Sequence, residues 1–256
     1  TPQFAVPSLK ALIEAGHEVC GVFSQPDKPV GRHQNKLKPT PVKECALSYQ
    51  AAGRDIPVYQ PEKLRDGTAL AILKELAPEL IVVAAYGRIL PDDILALPPK
   101  GCINVHSSLL PKYRGAAPIN WAILNGEKET GVTIMHMAAE LDAGDIIAQA
   151  STPIDPEETV ESVHDRLAGL GARLLVQTVS RLEAGTAERT PQDGERATYA
   201  PMLSRELSPI DWTRPAREIH DQIRGLMAWP RASTDVLGGE AVKLYRSQVL
   251  EEKRSG

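Results

Sequence analysis

The chain has 256 residues, 42% of them apolar, a net charge of −4 and no apolar run near the roughly 18 residues that span a bilayer. That length supports one large core, or a medium domain with a smaller one. The acidic balance excludes a general attraction to nucleic acid and leaves room only for a local patch.

Three cysteines, Cys20, Cys45 and Cys102, cannot all pair, and two lie in strand-like segments. This fits a reducing compartment, the cytosol of a bacterium or an organelle, rather than a disulfide scaffold. In chain order, the first residues read as a turn into a helix, with Leu9, Leu12 and Ile13 at helical spacing and Gly16 as the stop. An α/β domain opens on a buried strand that feeds such a helix, so a short strand is expected ahead of Thr1. Residues 18–24 read as a strand and 25–39, rich in Pro and Gly, as a long loop. Thr40-Pro41 then supplies an N-cap and a first-turn proline for the next helix.

Helix (69–76) and continuous apolar strand (80–85) follow, then strand 102–106, helix 118–124, strands 131–137 and 145–153, and an amphipathic helix over 159–182. This order predicts an α/β domain with an open, mostly parallel, Rossmann-like sheet over residues 1–188. Residues 189–209 are polar and turn-rich and read as a linker. A helix (215–226) and two strands (232–237, 241–250) around Gly238-Gly239 then predict the start of a smaller β-containing domain, too short to stand alone. Gly169-Leu-Gly171 lies inside the long helix and lacks a third glycine, so it is no dinucleotide fingerprint.

The chemistry concentrates where strand 102–106 gives way to a loop. Alternate residues of a strand share a face, so Asn104 and His106 point the same way at a carboxyl edge, where open α/β sheets hold ligands. The Asn amide is an uncharged donor and the His handles protons near neutral pH, a pair suited to oxyanion stabilisation in acyl transfer. Asp142, before Ala-Gly, is placed to orient that His if its two flanking strands are parallel; the same composition also makes an ordinary turn. His106, His136 and Asp142 match no compact metal motif, and there is no Gly-x-Ser-x-Gly elbow.

Five motifs, in order, carry a resemblance: Asn104-Val-His106, Ser108-Leu-Leu-Pro111, Tyr113-Arg-Gly-Ala-Ala-Pro118, Glu129-Thr-Gly-Val-Thr133 and Leu141-Asp-Ala-Gly144. Together they resemble the signature of folate-dependent formyltransferases. The resemblance implies transfer of a formyl group from 10-formyltetrahydrofolate to an amine, without metal, membrane or stable protein partner. It makes Asn104, His106 and Asp142 the catalytic residues. Ser108, Leu109, Leu110 and Pro111 would line the folate site, with Tyr86 and Leu90 as a second wall.

Segments outside that core, including Gln25-Pro-Asp-Lys-Pro29, Tyr199-Ala-Pro-Met-Leu-Ser204 and Trp229-Pro230, are most similar to the branch that formylates initiator methionyl-tRNA. The resemblance then implies that residues 210–256 begin an OB-like β-barrel domain that binds tRNA. The 25–43 segment holds Lys28, Arg32, Lys36, Lys38 and Lys43 against Asp27, which suits phosphate contacts on an acceptor stem. It departs from relatives, which tend to carry Gly-Arg-Gly and paired basic residues where this chain has Gly31-Arg-His-Gln-Asn-Lys36. The alternatives are a sister enzyme acting on a sugar amine or glycinamide ribonucleotide, a formyltetrahydrofolate hydrolase, or a catalytically silent RNA-binding module.

Overall fold

The structure, a computed structural model, describes residues 2–30, 36–235, 239 and 241–250. A 3-10 turn leads into α1 (Val6–Glu14), which carries Pro7 in its first turn and ends at Gly16, held at φ +87°. Then come β1 (Val22–Phe23), β2 (Lys28–Val30), β3 (Lys36–Lys38), α2 (Pro41–Ala51), β4 (Val58–Tyr59) and α3 (Thr68–Leu76). Thr40 caps α2 as expected, its hydroxyl accepting from the Lys43 amide at 3.2 Å. After β5 (Ile81–Ala84), α4 (Asp92–Leu95), β6 (Cys102–His106), β7 (Arg114–Gly115) and α5 (Pro118–Leu124) come β8 (Glu129–His136), β9 (Ile146–Pro153) and α6 (Val160–Glu183). The chain finishes with β10 (Tyr199–Ala200), α7 (Ala216–Gly225), β11 (Ser233–Asp235) and β12 (Ala241–Lys243).

The main sheet has the order β5-β6-β8-β9. Its first pair is parallel, as is the separate β1–β4 pair, which keeps the Rossmann-like α/β character. Its second half is antiparallel: Ile103 faces His136, His106 faces Thr133, and β8 pairs antiparallel with β9. The β8–β9 connection explains part of this. A parallel return needs a crossover of roughly a dozen residues or more, and residues 137–145 are too few.

Both faces of the sheet are covered. On one, Ile103 and Val105 of β6 and Val132 and Ile134 of β8 pack with Leu167 and Leu175 of α6, all at most 3% exposed. Each such side chain contributes about 1.5–3 kcal/mol of burial. Gly171 is the contact point: a Cβ there would lie 3.0 Å from Val105 and 3.3 Å from Val132, so this glycine serves close helix–sheet packing. On the other face Cys102 packs with Leu73, Leu90 and Ile94. Between β1 and β5 lies a cavity of about 510 Å³ lined by Leu9, Leu12, Val22, Ile81, Val83 and Leu182 among others.

Two segments expected to be irregular contain paired strands. In the described parts of 25–39, β2 and β3 form an antiparallel ribbon, with Lys28 opposite Lys38 and Pro29 opposite Leu37. Lysines and prolines carry no alternating apolar signal, so the pattern reads as loop. The expected linker is likewise tied down: β10 runs parallel to β7, Tyr199 opposite Arg114 and Ala200 opposite Gly115, and Thr190 bridges to Ile146. Beyond it α7 docks on α5, the Asn120 amide donating to the Gly225 carbonyl at 2.8 Å. A buried Asp221–Arg224 pair at 2.7 Å and an Arg224 bond to the Glu158 carbonyl fix the other side. The expected final strands are shorter than read, β11 pairing antiparallel with β12; Leu237 and Gly238 lie outside the described residues.

Candidate active site

β6 builds the site by alternation. Its core residues Ile103 and Val105 turn Asn104 and His106 to the opposite face, and the strand stops after His106. Asn104 is half-buried, and its carboxamide has no hydrogen-bond partner among the described residues. His106 is 6% exposed, with Nε2 2.9 Å from the Tyr113 carbonyl and Nδ1 3.7 Å from Asp142 Oδ2. A carbonyl only accepts, so Nε2 carries a proton and Nδ1 faces the carboxylate. Among the described residues, the Asn104 amide is thus a free donor at this strand end.

Asp142 arrives by an unexpected route. Because β8 is antiparallel to β6, residues 137–145 leave from beside the start of β6, not from the edge next to His106. The loop must fold back, and its backbone records it. Asp142 sits at φ +49°, a left-handed conformation that costs a non-glycine residue about 1–2 kcal/mol. Gly144 has no room for a side chain: a Cβ there would lie 1.8 Å from the His136 carbonyl oxygen. The Asp142 carboxylate accepts from the Gly115 amide at 2.8 Å, which ties it to β7.

Several positioning residues escape a sequence reading. Thr133 Oγ1 donates to the Ser108 carbonyl (2.7 Å) and accepts from the Leu110 amide (3.1 Å) and from Gln149 (2.8 Å), pinning the 108–111 loop to β8 and β9. A Thr between Val132 and Ile134 was its only signal. Arg114 is 4% exposed; its guanidinium donates to Gln192 Oε1 at 2.9 and 3.2 Å and reaches Glu140 at 3.3 Å. Gln192 Nε2 in turn donates to the Asp142 and Gly144 carbonyls, both at 2.8 Å. Gln192 lies in the presumed linker and carries no signal at all.

The expected folate-lining residues lie on two separate segments, 108–111 and 86–90. Ser108 is fully buried with its hydroxyl donated to the Lys112 carbonyl at 2.6 Å, so it shapes the loop and has little to offer a ligand. Leu110 is buried, Leu109 packs over Gly131 of β8, and Pro111 is half-buried. On the second segment Leu90 is buried beside Ile94 and Cys102, with Tyr86 packed against them. The Tyr86 hydroxyl is buried without a partner among the described residues, and that burial pushes its pKa up.

The basic residues divide as well. Lys28 and Lys38 are exposed and directly opposed on the ribbon, like charges that only an anion or solvent relieves. Lys43 is committed elsewhere, donating to Asp27 at 2.8 Å and Gln60 at 2.6 Å. Arg32 lies outside the described residues, and Lys36 is described in its backbone alone. Cys102 is no nucleophile: burial pushes its thiol up to about 12. Burial, then Arg189, lowers the pKa of His136, and no group of three or more His, Cys, Asp or Glu among the described residues could hold a metal ion.

The Formyl transferase family model matches residues 1–179, and the Formyl transferase C-terminal domain model matches residues 202–256. The chain belongs to the formyltransferase family. This formyltransferase is 53% identical over 98% of its length to the methionyl-tRNA formyltransferase of Pelobacter propionicus, covering 76% of that protein. It is 54% identical over its whole length to the methionyl-tRNA formyltransferase of Moorella thermoacetica, covering 80% of it. Among solved structures, the sugar 3N-formyltransferase WlaRD, crystallised with dTDP and 5-N-formyl-THF, superposes with a TM-score of 0.72 at 21% identity, over 98% of this chain and 85% of that one. The N-formyltransferase of Helicobacter canadensis gives 0.67 at 23% identity, over 92% and 81%. At those identities the structural likeness shows the fold alone. No helix among the described residues of this formyltransferase is long and apolar enough to cross a membrane.

Proposed function

We propose that the protein transfers the formyl group of 10-formyltetrahydrofolate to the α-amine of initiator methionyl-tRNA. The observation that carries the chemistry is the unpartnered Asn104 carboxamide beside the buried His106–Asp142 pair at the end of β6. Relatives named for methionyl-tRNA over 98% and 100% of this chain support the acceptor.

An amine acceptor needs no enzyme nucleophile. Its lone pair attacks the formyl carbon of the donor, the carbonyl electrons move to oxygen, and the bond to the donor nitrogen then breaks as that nitrogen takes the proton the amine gives up. Asn104 donates to the developing oxyanion, a contact of the kind worth about 3–4 kcal/mol. Its lack of a partner among the described residues leaves that donor unspent. His106 holds its ring through the Tyr113 carbonyl and exchanges a proton at Nδ1, while Asp142 offsets the charge that forms there. The 3.7 Å separation exceeds a direct hydrogen bond, and catalytic contacts of this kind are often long until substrate binds. Leu109, Leu110 and Pro111, together with Tyr86 and Leu90, offer the apolar walls for the folate ring, and Ser108 holds its loop.

Lys28 and Lys38 supply phosphate contacts for the tRNA, with Arg32 and Lys36 continuing the basic segment and Lys43 bracing it through Asp27. The β11–β12 hairpin begins the smaller tRNA-binding domain over 210–256. Three free cysteines and a translation substrate fit the cytosol.

The test is a transfer assay with labelled 10-formyltetrahydrofolate and charged initiator methionyl-tRNA, run beside a sugar amine and glycinamide ribonucleotide. Label on the aminoacyl-tRNA supports the reading. Label on a small amine moves the protein to a sister activity, and formate with no labelled acceptor makes it a hydrolase.

A further inference from the structure

We infer that Gln192 is a positioning residue for Asp142, so that the 190–200 segment works as part of the active site. The inference deepens the proposed function and rests on Asp142 acting there. Asp142 and Gly144 form a loop with a left-handed residue and a glycine that has no space for a side chain. Such a backbone persists only where its surroundings over-determine it. Among the described residues, two of the ties bear on Asp142 directly: the Gly115 amide holds its carboxylate, and the Gln192 amide nitrogen holds the Asp142 and Gly144 carbonyls.

The orientation of Gln192 follows from donor and acceptor chemistry. The Arg114 guanidinium has only donors, so the Gln192 oxygen must face it, and the NH2 must face the two carbonyls. Arg114 is itself buried and held in β7 by pairing with β10, eight residues or fewer from Gln192 in the same segment. The segment therefore grips the site twice, through β10 on β7 and through Gln192 on the Asp142 loop. A glutamine is the side chain that meets both demands at this length. A glutamate would keep the Arg114 contact but set a second oxygen against two carbonyl oxygens.

That contrast gives the experiment. In Gln192→Glu the pairing with Arg114 survives and the tether to the Asp142 loop is lost. We expect kcat for formyl transfer to fall about tenfold or more, with KM for 10-formyltetrahydrofolate within about twofold of wild type and the thermal midpoint retained. Combined with Asp142→Asn, the second substitution should add less than about twofold, because a residue that acts through Asp142 has nothing left to position. Gln192→Asn, the same amide one methylene short, should fall in the same direction and serves if Gln192→Glu does not fold. A tenfold loss that persists in the Asp142→Asn background, or a Gln192→Glu enzyme within twofold of wild type, overturns the inference. If Asp142→Asn alone transfers formyl at the wild-type rate, the catalytic reading fails first and the positioning role with it.

Discussion

The lysine ribbon and the Asp142 loop are both short excursions from a sheet, and they are built on opposite principles. The ribbon sets Lys28 against Lys38 in the open, with the Lys43–Asp27–Gln60 brace at its base. The loop is held by Gly115, by Gln192 and, through its own Glu140, by Arg114, around a strained backbone. On the proposed reading, the first region offers its charge to a long anion. The second ties its backbone down so that one carboxylate is held in place for the proposed chemistry. Positioning for catalysis demands over-determination, whereas phosphate contact tolerates looseness because a Coulomb attraction falls off slowly with distance.

Replacing the chemical groups should separate the two most sharply. His106→Ala or Asp142→Ala is expected to lower formyl transfer by about a hundredfold or more, with near-normal binding of tRNA in a filter assay. Asn104→Ala should lose about as much in kcat, and single-turnover rates distinguish this from a folate-binding defect. The loop should also break through its backbone. Gly144→Ala must push the chain away from the His136 carbonyl, so an activity loss of about tenfold is expected together with a lower thermal midpoint.

The ribbon responds more gently. Lys28→Ala with Lys38→Ala should weaken tRNA binding severalfold at physiological salt and reduce the slope of log K against log salt by up to about two. Folate affinity should be unchanged, and a fall in folate affinity instead would assign the ribbon to the donor site. The smallest effect concerns Cys102. With its thiol pushed up to about 12, only about one part in ten thousand is thiolate at pH 8, so alkylation in the native protein should be negligible and appear on unfolding.

The proposed catalytic residues could be picked out because the features that suggest them are local: Asn104 and His106 sit two apart on one strand, and Asp142 belongs to a compact motif. The helices were legible for similar reasons, since Thr40-Pro41 and the spacing of α6 state their ends and faces within a few residues. What escaped depends on partners distant in sequence. The antiparallel run of β8 against β6 is set by connections and packing, not by residue pattern, and the same holds for β7 against β10. Gln192 looks like any polar residue in a turn-rich stretch until Arg114, 78 positions earlier, is brought beside it. The ribbon escaped because its sheet-forming residues are lysines, whose signal is charge.

The pairing of β10 with β7 bears on how enzymes of this kind could exchange parts. Ala200 accepts from the Ala116 and Ala117 amides, and a Cβ on Gly115 would meet the Ala200 carbonyl oxygen at 2.7 Å. A recombination joint placed at residue 188, where the long helix has ended, would swap out half of this seam and leave the other half facing a stranger. A chimera that takes its C-terminal domain from another source should therefore be spliced after Pro201, so that the inherited N-terminal domain keeps the strand it was fitted to.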